Sequence, residues 1–278
     1  MTDGGLGLAA GVAKRLGRVQ GVQAVVLGGS LARGVAKPDS DTDIGIYYRP
    51  DRPPSLATLR ALAAELGDSG TGEAVTDFGG WGPWINGGAW LRVQGRPLDW
   101  IYRDLDKVEG VLGHSLQGHV ERHAQPGHPH GFHAHIYLGE LFYCRPLYDP
   151  NGVIEKLKGR LEPYPPKLRG ALIDTYLWQA EFALGVGEKA AARGESPYVA
   201  GCFFECAYCL VQVLYALNGR YYVNEKGAVG EAATFALRPV RFSETVHEVL
   251  ATPGATSGAL RRSLEKLQVL VEEVKGFR

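Results

Sequence analysis

The chain carries no excess charge of either sign: 30 Lys and Arg stand against 30 Asp and Glu in 278 residues, with a pI near 7.1. Each phosphate contact of a nucleic-acid binder needs a cation, so this balance weighs against DNA or RNA as a partner. A run of 18 uninterrupted apolar residues is missing, and residues 1–13 lack the basic-then-apolar layout of a signal peptide. The expectation is a cytoplasmic protein without a membrane partner. Cysteine is scarce. Three of the four, Cys202, Cys206 and Cys209, sit in an apolar run, where they read as small buried thiols in a reducing compartment rather than a disulfide framework. Internal repeats and low-complexity segments are also missing. With 45% hydrophobic and 22% charged residues, the composition excludes disorder, collagen and coiled coil as whole-chain descriptions. The length suffices for one large domain or two modest ones, each with a real core.

Glycine, by contrast, is abundant. The 38 glycines are about twice the average share, and their concentration around 79–95 points to tight turns and close backbone approach. Val22–Leu27 and Asp43–Tyr48 are β-branched or aromatic apolar runs of strand length. Helices fit Leu8–Val19 and Ser55–Leu66. Ala89–Val93 and Pro97–Tyr102 flank Gln94-Gly95-Arg96, a connection of hairpin length, so these two segments are expected to pair antiparallel. Beyond Leu105 helical spacing takes over, in Lys167–Val186, Pro197–Leu217 and Ala259–Val274. Ser196 reads as the N-cap of the second of these, with Pro197 in its first turn. The fold class is α+β: a small mixed-sheet domain over residues 1–105, then an α-helical bundle domain over 106–278.

The stretch Leu27–Tyr48, LGGSLARGVAKPDSDTDIGIYY, holds the chemistry. A strand ends at Gly28-Gly29, Ser30 follows, a short helical turn is expected over Leu31–Val35, and a loop containing Pro38 leads into a strand that opens with Asp41-Thr42-Asp43. Side chains alternate along a strand, so Asp41 and Asp43 share a face roughly 7 Å apart. Such a pair repels itself unless a cation neutralises it, and oxygen-only ligation suits Mg²⁺ bound together with substrate phosphates. Gly29 and Ser30 at a strand-to-helix turn supply amides for those phosphates, and Arg33 is one turn away. A D-x-D at a strand edge or a lone GGS is usually a solvated turn; the combination carries the signal.

Gly29-Ser30, ten residues, then Asp41-Thr42-Asp43 resembles the signature of the DNA polymerase beta-like nucleotidyltransferase superfamily. The resemblance covers residues 20–105. It implies a third carboxylate on a neighbouring strand, and Asp99 in Leu98-Asp99-Trp100-Ile101 matches that pattern. It further implies two Mg²⁺ ions held by Asp41, Asp43 and Asp99, a nucleotide held by Gly29, Ser30 and Arg33, and ATP or another NTP as co-substrate. The implied reaction moves a nucleoside monophosphate, AMP in the first instance, onto a hydroxyl and releases pyrophosphate. A small hydroxylated molecule such as an antibiotic comes first as acceptor, and a protein hydroxyl second. The rival reading is a catalytically silent nucleotide-binding module, which has no need to keep three carboxylates.

In the antibiotic-modifying relatives a helical second domain supplies a glutamate base, and by order the position is Glu181 in YLWQAEFALG; an ordinary solvated glutamate fits it equally. Glu205 is a rival, being the only charged residue between Tyr198 and Leu217, and it must find a partner, a solvated cleft or a raised pKa. Seven of the eight histidines fall between His114 and His135. A structural metal, a ligand-contacting loop and plain packing are open for them. The segment Gly79–Leu91 reads as a glycine-loosened strand whose tryptophans pack or stack on a base, and Lys226 as a surface lysine or a phosphate ligand.

Overall fold

The computed structural model describes residues 2–37, 40–68 and 75–278. In chain order the elements are α1 (Thr2–Leu16), β1 (Val22–Leu27), α2 (Gly29–Arg33), β2 (Thr42–Tyr48), α3 (Leu56–Leu66), β3 (Gly88–Val93), β4 (Arg96–Asp104) and α4 (Leu105–Leu116). There follow β5 (Arg122–His123), β6 (Phe132–His133), α5 (Ile136–Tyr143), β7 (Arg145–Tyr148), α6 (Val153–Lys158), α7 (Pro166–Ala192), α8 (Ser196–Leu217), α9 (Ala228–Ala232), α10 (Phe242–Ala251) and α11 (Ser257–Lys275). They form two compact units. The first holds the residues up to Gly113 with Gln125–Gly127 and Tyr137–Pro163; the second holds His114–Ala124, His128–Ile136 and Tyr164–Arg278. A single cut after residue 105 therefore does not describe them, because the chain returns to the first unit to add β7 to its sheet.

That sheet is mixed and runs β3-β4-β2-β1-β7. β2 lies parallel to β4 and antiparallel to β1, and β7 pairs antiparallel with the free side of β1. Alternation sorts the side chains. Ile44, Ile46, Leu98, Trp100 and Tyr102 point to one face and are buried against the apolar stripes of α1 (Leu8, Val12, Leu16) and α3 (Leu59, Leu62, Ala63). Fully burying side chains of this size is worth about 1.5–3 kcal/mol each, which outweighs the cost of starting α1 with Gly4, Gly5 and Gly7. That is why the helix begins earlier than its sequence pattern suggests. Ser55 caps α3, its hydroxyl accepting from Thr58 N at 3.3 Å.

The β3–β4 hairpin closes on Gln94 (φ 55°) and Gly95 (φ 74°), the left-handed pair that a two-residue turn between twisted strands requires. Gly88 is needed for a different reason: a Cβ there would lie 1.8 Å from the Trp100 carbonyl oxygen of β4. The Trp-rich segment preceding it is not a strand. Residues 78–81 and 83–85 are turns, held by Asn86, whose Oδ1 accepts from Gly79 N (2.8 Å) and whose Nδ2 donates to the Tyr48 hydroxyl (2.9 Å).

On the opposite sheet face, Arg103 from β4 is buried and donates from Nε and Nη2 to the two oxygens of Glu140 on α5, at 2.7 and 2.6 Å. The fork geometry offsets the cost of burying the guanidinium.

In the second unit α7 and α8 are joined by three residues, and α11 packs on both. Ser196 does not cap α8. The helix begins on it, Glu195 takes the flanking position, and Pro197 stands in the first turn as expected. α8 has the length and apolarity of a membrane span, and 72% of that stretch is buried inside the protein, as in the central helix of a water-soluble bundle.

Glu140→Ala leaves the Arg103 charge buried without its carboxylate. Urea unfolding should show the first unit destabilised by roughly 3–5 kcal/mol.

Candidate active site

β1 delivers the chain to a turn at Gly28-Gly29 that is moulded to one side chain. Gly28 N donates to the backbone oxygen of Asp43 at 2.8 Å, extending the β1–β2 ladder by one residue. Gly29 has φ +58°, and a Cβ there would fall 1.7 Å from Asp43 Oδ2. The space where any other residue would carry its side chain is filled by the carboxylate. Ser30 follows, half-buried in the first turn of α2, whose opening amides have no acceptor within the helix.

The parallel register sets Asp43 directly beside Asp99. Neighbouring strands are about 4.8 Å apart, so the two half-buried carboxyl groups emerge side by side on the face away from α1 and α3. Asp41, exposed, stands two residues before Asp43 at the entrance to β2. The three aspartates are thus gathered at one sheet end next to the glycine turn. The hairpin register places Trp90 opposite Asp99 on the same face. Its ring is 64% exposed and stacks on Trp81 at 4.6 Å between centroids, with 21° between planes. Arg33, at the end of α2, holds its guanidinium over the Tyr143 ring, 4.9 Å from the centroid.

Glu181 belongs to the second unit, where it forms an ion pair with Lys275 Nζ at 2.8 Å. Glu205 has found partners that sequence pattern alone did not supply. Arg122 Nη1 donates to its Oε1 at 2.6 Å, and His130 Nε2 lies 3.4 Å from Oε2. Burial would raise its pKa, but the hydrogen bonds from His130 and Arg122 overcome this and hold the carboxyl at about 2. The histidines line the same interior. His130 Nδ1 is 3.0 Å from His133 Nε2, and His133 Nδ1 is 2.5 Å from the Tyr176 hydroxyl. His135 Nε2 is 3.0 Å from Gln212 Oε1. Burial and the neighbouring histidines push His133 well down; burial takes His135 to about 4 against the opposing Gln212 hydrogen bond. His128 pairs with Glu225 at 3.0 Å, while Lys226 beside it is exposed.

His130, Glu205 and Cys209 offer ligand atoms within 4.8 Å of one another, a possible metal site. Arg122, however, already places a permanent cation 3.1 Å from His130 Nε2 and 2.6 Å from Glu205, and burial keeps the Cys209 thiol protonated. As built, the cluster is neutralised from within and packs the core of its unit.

A strand–glycine turn–helix beside paired carboxylates on a mixed sheet has the donor and acceptor set that phosphoryl or nucleotidyl transfer requires. The family comparison agrees. Residues 10–75 match the model of the nucleotidyltransferase domain, a segment containing Gly29, Ser30, Asp41 and Asp43 and ending before Asp99. Residues 137–226 match a domain of unknown function, DUF4037. No curated protein matches the chain. Among solved structures, a nucleotidyltransferase-like protein from Exiguobacterium sibiricum 255-15 is similar at 10% identity and a TM-score of 0.46, over 92% of this chain and 72% of that one. The match over residues 10–75 supports a nucleotidyltransferase domain of the polymerase beta-like kind within the first unit, and with it nucleotidyltransferase activity. Domains of this class use a nucleoside triphosphate and a divalent metal.

Gly29→Ala should displace the Asp43 carboxylate and remove transfer activity with the second unit intact, as judged by turnover and circular dichroism. Stability should respond to pH in two windows. A depressed histidine pKa contributes stability that is present above the unfolded value near 6.5 and lost between there and about 4; the Glu205 contribution is lost between 4.5 and about 2. Glu205→Gln should shrink the lower step in melting temperature, leaving the part owed to Glu225, which, against burial, the His128 hydrogen bond also holds below the usual carboxylate range, and should leave the upper step.

Proposed function

We propose that this enzyme moves AMP from ATP onto a hydroxyl of a small molecule such as an antibiotic, with Mg²⁺ as its cation and pyrophosphate as the second product. The observation that carries this reading is the in-register Asp43–Asp99 pair beside a turn whose side-chain space Asp43 occupies. The donor set fits the ion: carboxylate oxygens alone, at a spacing where their mutual repulsion favours a hard dication. Asp41 and Asp43 would hold one Mg²⁺ and share a second with Asp99. When bound, the ions neutralise triphosphate charge and acidify the acceptor hydroxyl.

The work of the protein is positioning and electrostatics. The amides at Gly29 and Ser30 and the Ser30 hydroxyl hold the distal phosphates, so the departing pyrophosphate stays charge-compensated. Arg33, stacked on Tyr143 one turn further, is placed to add a charge-assisted bond. Asp99 receives the acceptor proton. Glu181, already committed to Lys275, is the weaker base. A balanced net charge supports a small acceptor over a nucleic acid, and four buried free cysteines support a reducing cytoplasm.

The test is pyrophosphate release from labelled triphosphates with Mg²⁺ against pooled aminoglycosides and lincosamides. Asp43→Asn and Asp99→Asn should be nearly dead at every pH, and Glu181→Gln should keep most of the rate. An Asp43 variant retaining more than about a tenth of the wild-type rate would overturn the assignment, since losing such a ligand costs several kcal/mol. Ser30→Ala should weaken ATP by roughly 1.5–3 kcal/mol and leave the acceptor unaffected.

A further inference from the structure

Trp90 is an unusual strand residue. Its neighbours Ala89 and Leu91 are buried in the core, whereas its own indole is 64% exposed and lies flat on Trp81. Trp81 is itself pinned, its carbonyl accepting from Gln125 Nε2 at 2.7 Å and its amide donating to Asn86 O at 3.2 Å. A large apolar ring held rigid in water is preorganised for a partner, because the entropy of ordering it has already been lost.

Its place in the sheet says which partner. Across β1, β2, β4 and β3 the order on this face is Gly28, Asp43, Asp99, Trp90. In an in-line displacement the entering and leaving oxygens lie on opposite sides of phosphorus, with the nucleoside roughly perpendicular to that axis. With the pyrophosphate held at the glycine turn on the β1 side, the entering hydroxyl arrives from the side of Asp99 and, beyond it, Trp90. Resting on the reading given above, we propose that the Trp81–Trp90 pair is the acceptor subsite, and that the acceptor is a cyclic polyol, a sugar or cyclitol. The C–H face of its ring covers Trp90 while an edge hydroxyl reaches Asp99. A ring of that kind offers both halves of the contact, an apolar face for the indole and a hydroxyl to be modified.

The test titrates the full chain with a non-hydrolysable ATP analogue and Mg²⁺, then with kanamycin, streptomycin or lincomycin, by calorimetry. At least one of the three should bind wild type. Trp90→Ala should weaken that binding about tenfold or more, Trp90→Phe should recover most of it, and the affinity for the ATP analogue should change less than twofold in both. Equal acceptor affinity in Trp90→Ala overturns the proposal. So does selective loss of the ATP analogue, which would make the pair a base platform, or failure of all three probes to bind a chain that holds the analogue. A wild-type chain that does not bind the ATP analogue overturns the nucleotidyltransfer reading itself, and the first titration tells that result apart.

Discussion

Two like charges set side by side on adjacent strands are the constraint around which the first unit is organised. The parallel register of β2 and β4 leaves Asp43 and Asp99 no way to separate without slipping the sheet, and a one-residue slip would turn Ile44, Ile46, Leu98 and Trp100 out of the core. Hydrophobic burial on one face therefore fixes the spacing of the two carboxyl groups on the other, and a cation bound there would find these ligands already positioned. The glycine turn belongs to the same arrangement, because Asp43 fills the volume a side chain at Gly29 would need. The proposed metal site and phosphate site would be two uses of one local shape.

The second unit solves the opposite problem. Its polar groups are matched to one another, Arg122 to Glu205 at a partly exposed position and, deeper, His128 to Glu225, His133 to Tyr176 and His135 to Gln212. Such pairs add little net stability, but leaving one partner alone is costly, so they fix a single packing of α7 and α8 with the 119–135 segment.

Much of this was legible in the chain. β1 matches its apolar run residue for residue, and the hairpin falls where Gln94-Gly95-Arg96 announced it. The turn is one residue tighter than the Gln94-Gly95-Arg96 connection expected, because Arg96 pairs with Val93, and that single residue of register is what sets Trp90 opposite Asp99. What resisted reading was long-range. Nothing around Arg145–Tyr148 marks it as a strand: it is short, includes Pro146, and exists only because β1 has an edge to offer. Arg122 was invisible as the partner of Glu205 because 83 residues separate them. The segment 78–87 has the aromatics of a strand, yet Gly79, Gly82 and Gly87 at positive φ turn it into a loop. Ser196 has the chemistry of a cap but not the backbone position, which Glu195 holds.

The return of the chain to add β7 bears on how the enzyme is made. On a ribosome, the first four strands of the sheet, two of which carry Asp43 and Asp99, emerge some forty residues before Arg145–Tyr148, and until then β1 has one side unpaired. Its apolar sequence, VQAVVL, is the kind of open edge that recruits other strands. The intervening residues must leave the exit tunnel before the sheet can be sealed, at synthesis rates of about 5–20 residues per second. For those seconds the catalytic half of the molecule exists as a nascent sheet open to aggregation, and a fragment ending at residue 113 would remain in that condition permanently.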